Sequence, residues 1–229
     1  MVLSKRLTAV SALVTEGNRL ADIGTDHAFV PIFLVEAGRI PSAVAMDINK
    51  GPLERAQEHI RFHGLEEQVV TRLSDGLEAL SEGEADSVLI AGMGGALTVR
   101  ILERRPGLCH EVKELILQPQ SEIASVRRYL EGAGWRIVQE NMVREDGKYY
   151  QMIRSVPGSM ALSDAEAQFG PCLMQERSQV WTEYLLWRRQ ILERNLSRLA
   201  HAQGDRGEQR KMEIKALLEV LNKVLLLSS

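Results

Sequence analysis

The feature that most constrains this chain is an alternation of short β-like runs with helical runs between residues 19 and 157. Arg19 to Ile23, Ser42 to Ile48, Val69 to Leu73, Asp86 to Ala91 and Glu114 to Leu117 read as strands. Helical spacing fills about His27 to Gly38, Gly51 to His63, Ala96 to Arg104 and, with Ser121 as its cap, a run to Glu131. Strand-helix repetition predicts a mostly parallel sheet covered on both faces. Two final runs, Trp135 to Val143 and Tyr149 to Val156, flank Asp146-Gly147, which reads as a hairpin turn. The sheet is therefore expected to end in an antiparallel pair.

The pattern changes after Pro157-Gly158. Residues 163–200 and 208–226 read as helical throughout, broken by His201 to Gly207 with its two glycines. This predicts a domain over residues 1–158 and a C-terminal, coiled-coil-like helical hairpin over 159–229. The first residues form an amphipathic helix with Leu3, Leu7, Val10 and Val14 on one face, too polar for a signal peptide. Cys109 and Cys172 fit neither a disulfide nor a metal pattern, so no metal is expected, and such usage suits a cytoplasmic protein. No apolar stretch is long enough to cross a membrane. A monomer is the expectation.

The chain carries a net charge of −3, unevenly placed. Residues 1–159 hold 18 basic and 22 acidic side chains, whereas 188–215 hold eight basic and four acidic. Basic charge gathered on one helical element can bind phosphate, although composition alone favours a solvated helix face.

In a doubly wound sheet, ligands bind beyond the carboxyl ends of the strands. The informative residues all lie there. Asp22-Ile23-Gly24-Thr25-Asp26-His27-Ala28 follows the first strand; one glycine permits a tight turn, and the carboxylates of Asp22 and Asp26 would repel a pyrophosphate. They tolerate a sulfonium and an amino-acid ammonium, which favours S-adenosylmethionine over a nicotinamide dinucleotide. Asp47, with Ile48 and Asn49, ends the second strand where an acid accepts ribose hydroxyls. Ser74-Asp75-Gly76 ends the third and offers an acceptor to an adenine amine. Gly92-Met93-Gly94-Gly95 ends the fourth, where methyltransferases present the acceptor; with few side chains, its backbone carbonyls become the hydrogen-bond partners. Gln118 and Gln120 end the fifth and could meet a base edge.

Leu3-Ser4-Lys5-Arg6-Leu7, Ala21 to Ala28, Ala45 to Leu53, Gly92 to Gly95 and Leu117 to Gln120 together resemble the TrmK family of bacterial tRNA methyltransferases. Phe29 stands where a tyrosine is often found. The resemblance implies a Rossmann-like class I methyltransferase domain, S-adenosylmethionine as methyl donor, and methylation of N1 of adenine 22 in tRNA. Asp26, His27, Gly92, Met93, Gly94 and Gln118 become the candidate catalytic group. Asp22, Gly24, Thr25, Asp26, His27, Asp47, Ile48, Asn49, Ser74, Asp75, Gly76, Gly92 and Met93 become the candidate cofactor site. Lys5, Arg6, Arg188, Arg189, Arg194 and Arg198 are the candidate tRNA contacts. The alternatives are an RNA-binding adaptor that keeps the fold without catalysis, and a methyltransferase acting on another adenine or on a small molecule.

Overall fold

The computed structural model describes residues 1–199 and 205–227, without the side chains of Cys109 and Leu227. It divides into two compact units, Met1–Ala161 and Leu162–Ser229.

The first unit is a seven-stranded sheet built from β1 (Leu20–Ile23), β2 (Ala43–Asp47), β3 (Val69–Leu73), β4 (Ser87–Ala91), β5 (Glu114–Gln118), β6 (Trp135–Glu145) and β7 (Lys148–Pro157). Strand order is β3-β2-β1-β4-β5-β7-β6. The first five pair in parallel, and β7 pairs antiparallel with both β5 and β6. The order reverses between β1 and β4, so the switch point lies where the two glycine turns leave the sheet. Strands β1, β4 and β5 are apolar and buried, as parallel strands covered on both faces must be.

The helices are α1 (Lys5–Ser11), α2 (Phe29–Glu36), α3 (Lys50–Phe62), α4 (Gly95–Glu103), α5 (Leu108–Glu111) and α6 (Ile123–Gly132). In α3 the buried face is Leu53, Ala56 and Ile60, and His59 and Arg61 sit in the last turn, where the helix dipole favours cations.

Two polar clusters fix the frame, one at the start of β5 and one level with its carboxyl end. Glu114, at the start of β5, accepts from the Ser87 hydroxyl (2.6 Å), the Thr15 amide (2.9 Å) and hydroxyl (2.7 Å), and Arg154 Nε (2.6 Å). Burial pushes its pKa up, but these bonds outweigh that and hold it below the usual glutamate value. Arg127 of α6 donates to Glu140 (2.8 Å) and Gln151 (2.7 Å), all three buried, tying α6 to the terminal hairpin.

The second unit contains α7 (Asp164–Phe169), α8 (Pro171–Glu176), α9 (Gln179–Arg198) and α10 (Asp205–Leu227). Residues 163–199 are thus not one helix. Gly170 adopts φ +88°, Pro171 has no N–H to continue α7, and Arg177 is left-handed at φ +52°. Ser163 and Glu166 form a capping box on α7. Trp181 is fully buried and donates from Nε1 to the Phe169 carbonyl at 2.9 Å, pinning α9 to the end of α7. Helices α9 and α10 pack on each other. Of the expected break at His201 to Gly207, residues 201–204 lie outside the described residues, and 205–207 are helical.

Candidate active site

The loop after β1 is held by two amides, Gly24 N and Thr25 N, which both donate to the Met46 carbonyl of β2 (2.8 and 2.9 Å). Gly24 takes φ +73°. His27 and Ala28 are also left-handed (φ +67° and +53°), so α2 starts at Phe29 rather than near His27. This double reversal sets His27 against α2 and α3. Its ring stacks on Phe29 (centroids 5.0 Å) and approaches His59 of α3 (4.8 Å). Asp26 does not cap α2. It is exposed and accepts from Arg55 at 2.8 Å.

Asp22 lies buried at the end of β1. Burial raises its pKa to about 6, and the nearby Asp47 carboxylate adds to the rise. The Thr25 hydroxyl opposes the shift from close by, but makes no hydrogen bond of normal geometry and is left buried without a partner. His27 Nδ1 is likewise buried and unpartnered. Orphaned buried polar atoms beside a protonatable acid mark a place where a ligand completes the bonding.

At the end of β2, Asp47 Oδ1 accepts the Asn49 amide at 2.7 Å, which leaves Oδ2 for a diol. Ile48 is 58% exposed beside it. At the end of β3, Ser74 Oγ donates to the Gly76 carbonyl (2.8 Å), closing the turn that carries Asp75. Asp75 Oδ2 already accepts from Arg104 at 2.5 Å, so only Oδ1 is open to an adenine amine. Gly76 is required locally: its φ is +63° and a Cβ would lie 2.9 Å from Ile101.

The turn after β4 is zipped to the loop after β5. Gly92 N donates to Gln118 O (3.0 Å), Gln120 N to Met93 O (2.8 Å) and Gly95 N to Ser121 O (3.1 Å). Ser121 is therefore a strut for this turn and not the cap of α6; Glu122, left-handed at φ +50°, occupies the cap position. A Cβ on Gly95 would stand 2.4 Å from Ser121 O, so close packing demands that glycine. Thr98 N and Oγ1 both donate to Gly94 O (3.0 and 3.1 Å). Among the described residues this leaves the exposed Gly92 carbonyl as the acceptor of the turn with no partner.

Gln118 does not reach a base edge. It is fully buried, and its Oε1 accepts from Arg6 Nη1 at 2.8 Å. Gln120 is the exposed member of the pair. Arg6 reaches the site from α1, whose N-terminus is anchored by Glu145: Lys5 N and Arg6 N donate to it at 2.7 and 3.3 Å. The Arg6 guanidinium stands 5.7 Å over the Tyr150 ring. The sequence reading missed Tyr150, His59, Arg55 and Arg104 in this neighbourhood; each meets its partner across the fold, and no local spacing signals it.

In the second unit, Arg189 approaches Glu193 at 3.8 Å, while Arg188, Arg194 and Arg198 make no ion pair among the described residues. Among those residues no helix is long and apolar enough to cross a membrane, and no group of three or more His, Cys, Asp or Glu could hold a metal.

Residues 3–153 match the family model described as a methyltransferase domain. The chain is 33% identical over 234 residues to the tRNA (adenine(22)-N(1))-methyltransferase of Bacillus subtilis, covering 97% of each. A Streptococcus pneumoniae structure, proposed as a tRNA (m1A22) methyltransferase and solved with S-adenosyl-L-methionine, superposes with TM-score 0.89 at 36% identity, covering 98% of this chain and 100% of that one. The M. capricolum TrmK structure with S-adenosyl-homocysteine superposes with TM-score 0.87 at 27% identity over the whole of both. By these matches the chain belongs to the TrmK family of class I methyltransferases.

Proposed function

We propose that this protein transfers the methyl group of S-adenosylmethionine to N1 of adenine 22 in tRNA. The carrying observation is the end-to-end match to the Bacillus subtilis enzyme, which spans both units. The site is built for that chemistry. S-adenosylmethionine, when bound, supplies an electrophilic methyl on a sulfonium. Asp47 Oδ2 is open to the ribose diol, and Asp75 Oδ1 to the adenine amine. Thr25 Oγ1 and His27 Nδ1 offer unpartnered polar atoms, and Asp22 a buried carboxyl, to the amino-acid end.

Adenine N1 carries a free lone pair, and its methylated ring is a cation. No base is needed to begin the reaction, so catalysis rests on orientation and on the field around a moving positive charge. Ionised Asp22 supplies negative charge near the sulfonium, whereas the Asp26 carboxylate is paired with Arg55. The Gly92 carbonyl can accept the exocyclic amine of the target, leaving N1 in line. Because N1 is on the Watson–Crick edge, the base must leave any pair or stack, at a cost of a few kcal/mol. Contacts to tRNA phosphates from Lys5 and from Arg188, Arg189, Arg194 and Arg198, on the helical hairpin we assign to residues 159–229, offset that cost.

The test is transfer of a radiolabelled methyl group to unmodified tRNA, followed by nucleoside analysis. The expected product is 1-methyladenosine, absent when adenine 22 is replaced by guanine. Label on another nucleoside, or binding without transfer, would sink the assignment.

A further inference from the structure

We propose that Arg6 grips the phosphodiester of the target nucleotide and that helix α1 thereby forms one wall of the acceptor pocket; this rests on the tRNA reading above. Most arginines of the first unit are neutralised. Arg19 pairs with Asp86, Arg55 with Asp26, Arg72 with Glu84, Arg104 with Asp75, and Arg154 with Glu114. Arg6 has no carboxylate within ion-pair distance among the described residues. Glu145, at the N-terminus of α1, accepts from the backbone amides of Lys5 and Arg6.

The guanidinium is nevertheless held in place. Gln118 Oε1 takes one of its five donors, and Tyr150 supports it from one side. A Cβ on Gly92 would lie 3.7 Å from its Nη1 and 3.7 Å from Gln120 Nε2. The charge therefore sits against the turn whose open carbonyl faces the acceptor. The remaining donors have no partner among the described residues.

An unneutralised cation at that point opposes the reaction as it stands, because methylation places positive charge on the acceptor ring. The conflict disappears if the substrate brings its own anion. A nucleotide turned out of its helix carries a phosphodiester next to its base, and a guanidinium fork matches phosphate oxygens with two parallel bonds. Arg6 would then hold the everted backbone and be discharged by it, with Gln118 acting behind it as its positioning residue.

The test compares wild type, R6Q and R6K for activity on tRNA at several salt concentrations, with S-adenosyl-homocysteine affinity measured by calorimetry. R6Q is expected to lose roughly ten- to hundred-fold in kcat/KM for tRNA while cofactor-product affinity stays within about twofold. The slope of log KM against log salt should flatten by about one phosphate contact, and R6K should recover part of both, since an ammonium binds phosphate as a point charge. Three results would overturn the inference: full activity in R6Q, reduced activity with an unchanged salt slope, or a parallel loss of cofactor-product affinity. Wild-type activity with an indifferent R6Q removes this inference alone; an inactive wild type removes the tRNA reading with it.

Discussion

Gly24 and Met93 come from different turns of the sheet, yet a Cβ on Gly24 would lie 2.0 Å from the Met93 terminal methyl. The loop after β1 and the turn after β4 are therefore in contact. Gly24→Ala should weaken S-adenosyl-homocysteine binding in calorimetry by about 1–2 kcal/mol through its positive φ, and should displace Met93 as well. Adding Met93→Ala frees the space but not the backbone, so the double variant should recover only part of the affinity. Complete recovery would mean crowding alone matters, and no loss in Gly24→Ala would mean the loop is not the binding loop.

Asp22 gives the site a pH dependence. Its native pKa of about 6 lies above the unfolded value of about 3.9. The protonated form is the one the fold prefers, so the stabilisation is fully present below the unfolded pKa and is lost as pH rises through 6, about 3 kcal/mol in all. Asp22→Asn should flatten the stability profile of the ligand-free protein between pH 4 and 7 on the order of that amount. A cationic ligand favours ionised Asp22, so cofactor affinity should rise from pH 5 to 7 in the wild type and not in Asp22→Asn. Parallel profiles in the two proteins would remove Asp22 from the binding site.

Asp47 has one carboxylate oxygen committed to Asn49 and one open. Replacing it by alanine should cost about 1.5–3 kcal/mol of cofactor affinity, the worth of hydrogen bonds to a charged group. Unchanged affinity in a folded Asp47→Ala protein would contradict the ribose assignment.

The adjacent glycines of the acceptor turn should separate by mutation. Gly95→Ala drives a Cβ against the Ser121 and Glu122 carbonyls and should lower stability by about 1–3 kcal/mol, read as a drop in Tm. Gly94 has an ordinary φ of −66°, and a Cβ there meets only the Ser121 hydroxyl at 3.3 Å. Gly94→Ala should therefore fold and bind cofactor, while Gly94→Val loses methyl transfer by obstructing the base. Equal loss of binding and transfer in Gly94→Val would make the turn structural.

Arg188, Arg194 and Arg198 on α9 make no ion pair among the described residues, and Arg189 is loosely paired. Changing all four to Gln should weaken tRNA binding, reduce its salt dependence and leave cofactor affinity intact, since each phosphate contact releases counterions. Binding and salt slope equal to wild type would leave these charges as a solvated helix face.

The sequence by itself determined the strand and helix succession, the parallel sheet with its antiparallel end, and the strand-end placement of Gly24, Asp47 and Asp75. Those follow from local periodicity and from the rule that ligands gather at strand carboxyl ends. The Gly170-Pro171 break in the C-terminal helices was missed, because residues 163–200 read as helical throughout although proline cannot continue a helix. Only the tertiary structure decided which of these residues are free to act. Gln118 is withdrawn because Arg6, 112 residues away in sequence, takes its oxygen. Ser121 braces Gly95 instead of capping α6, and Asp26 is taken up by Arg55. Hydrogen-bond partners are chosen by distance in space, and a side chain with one open oxygen or five open donors will take whichever partner the packing of the sheet and its helices brings within reach.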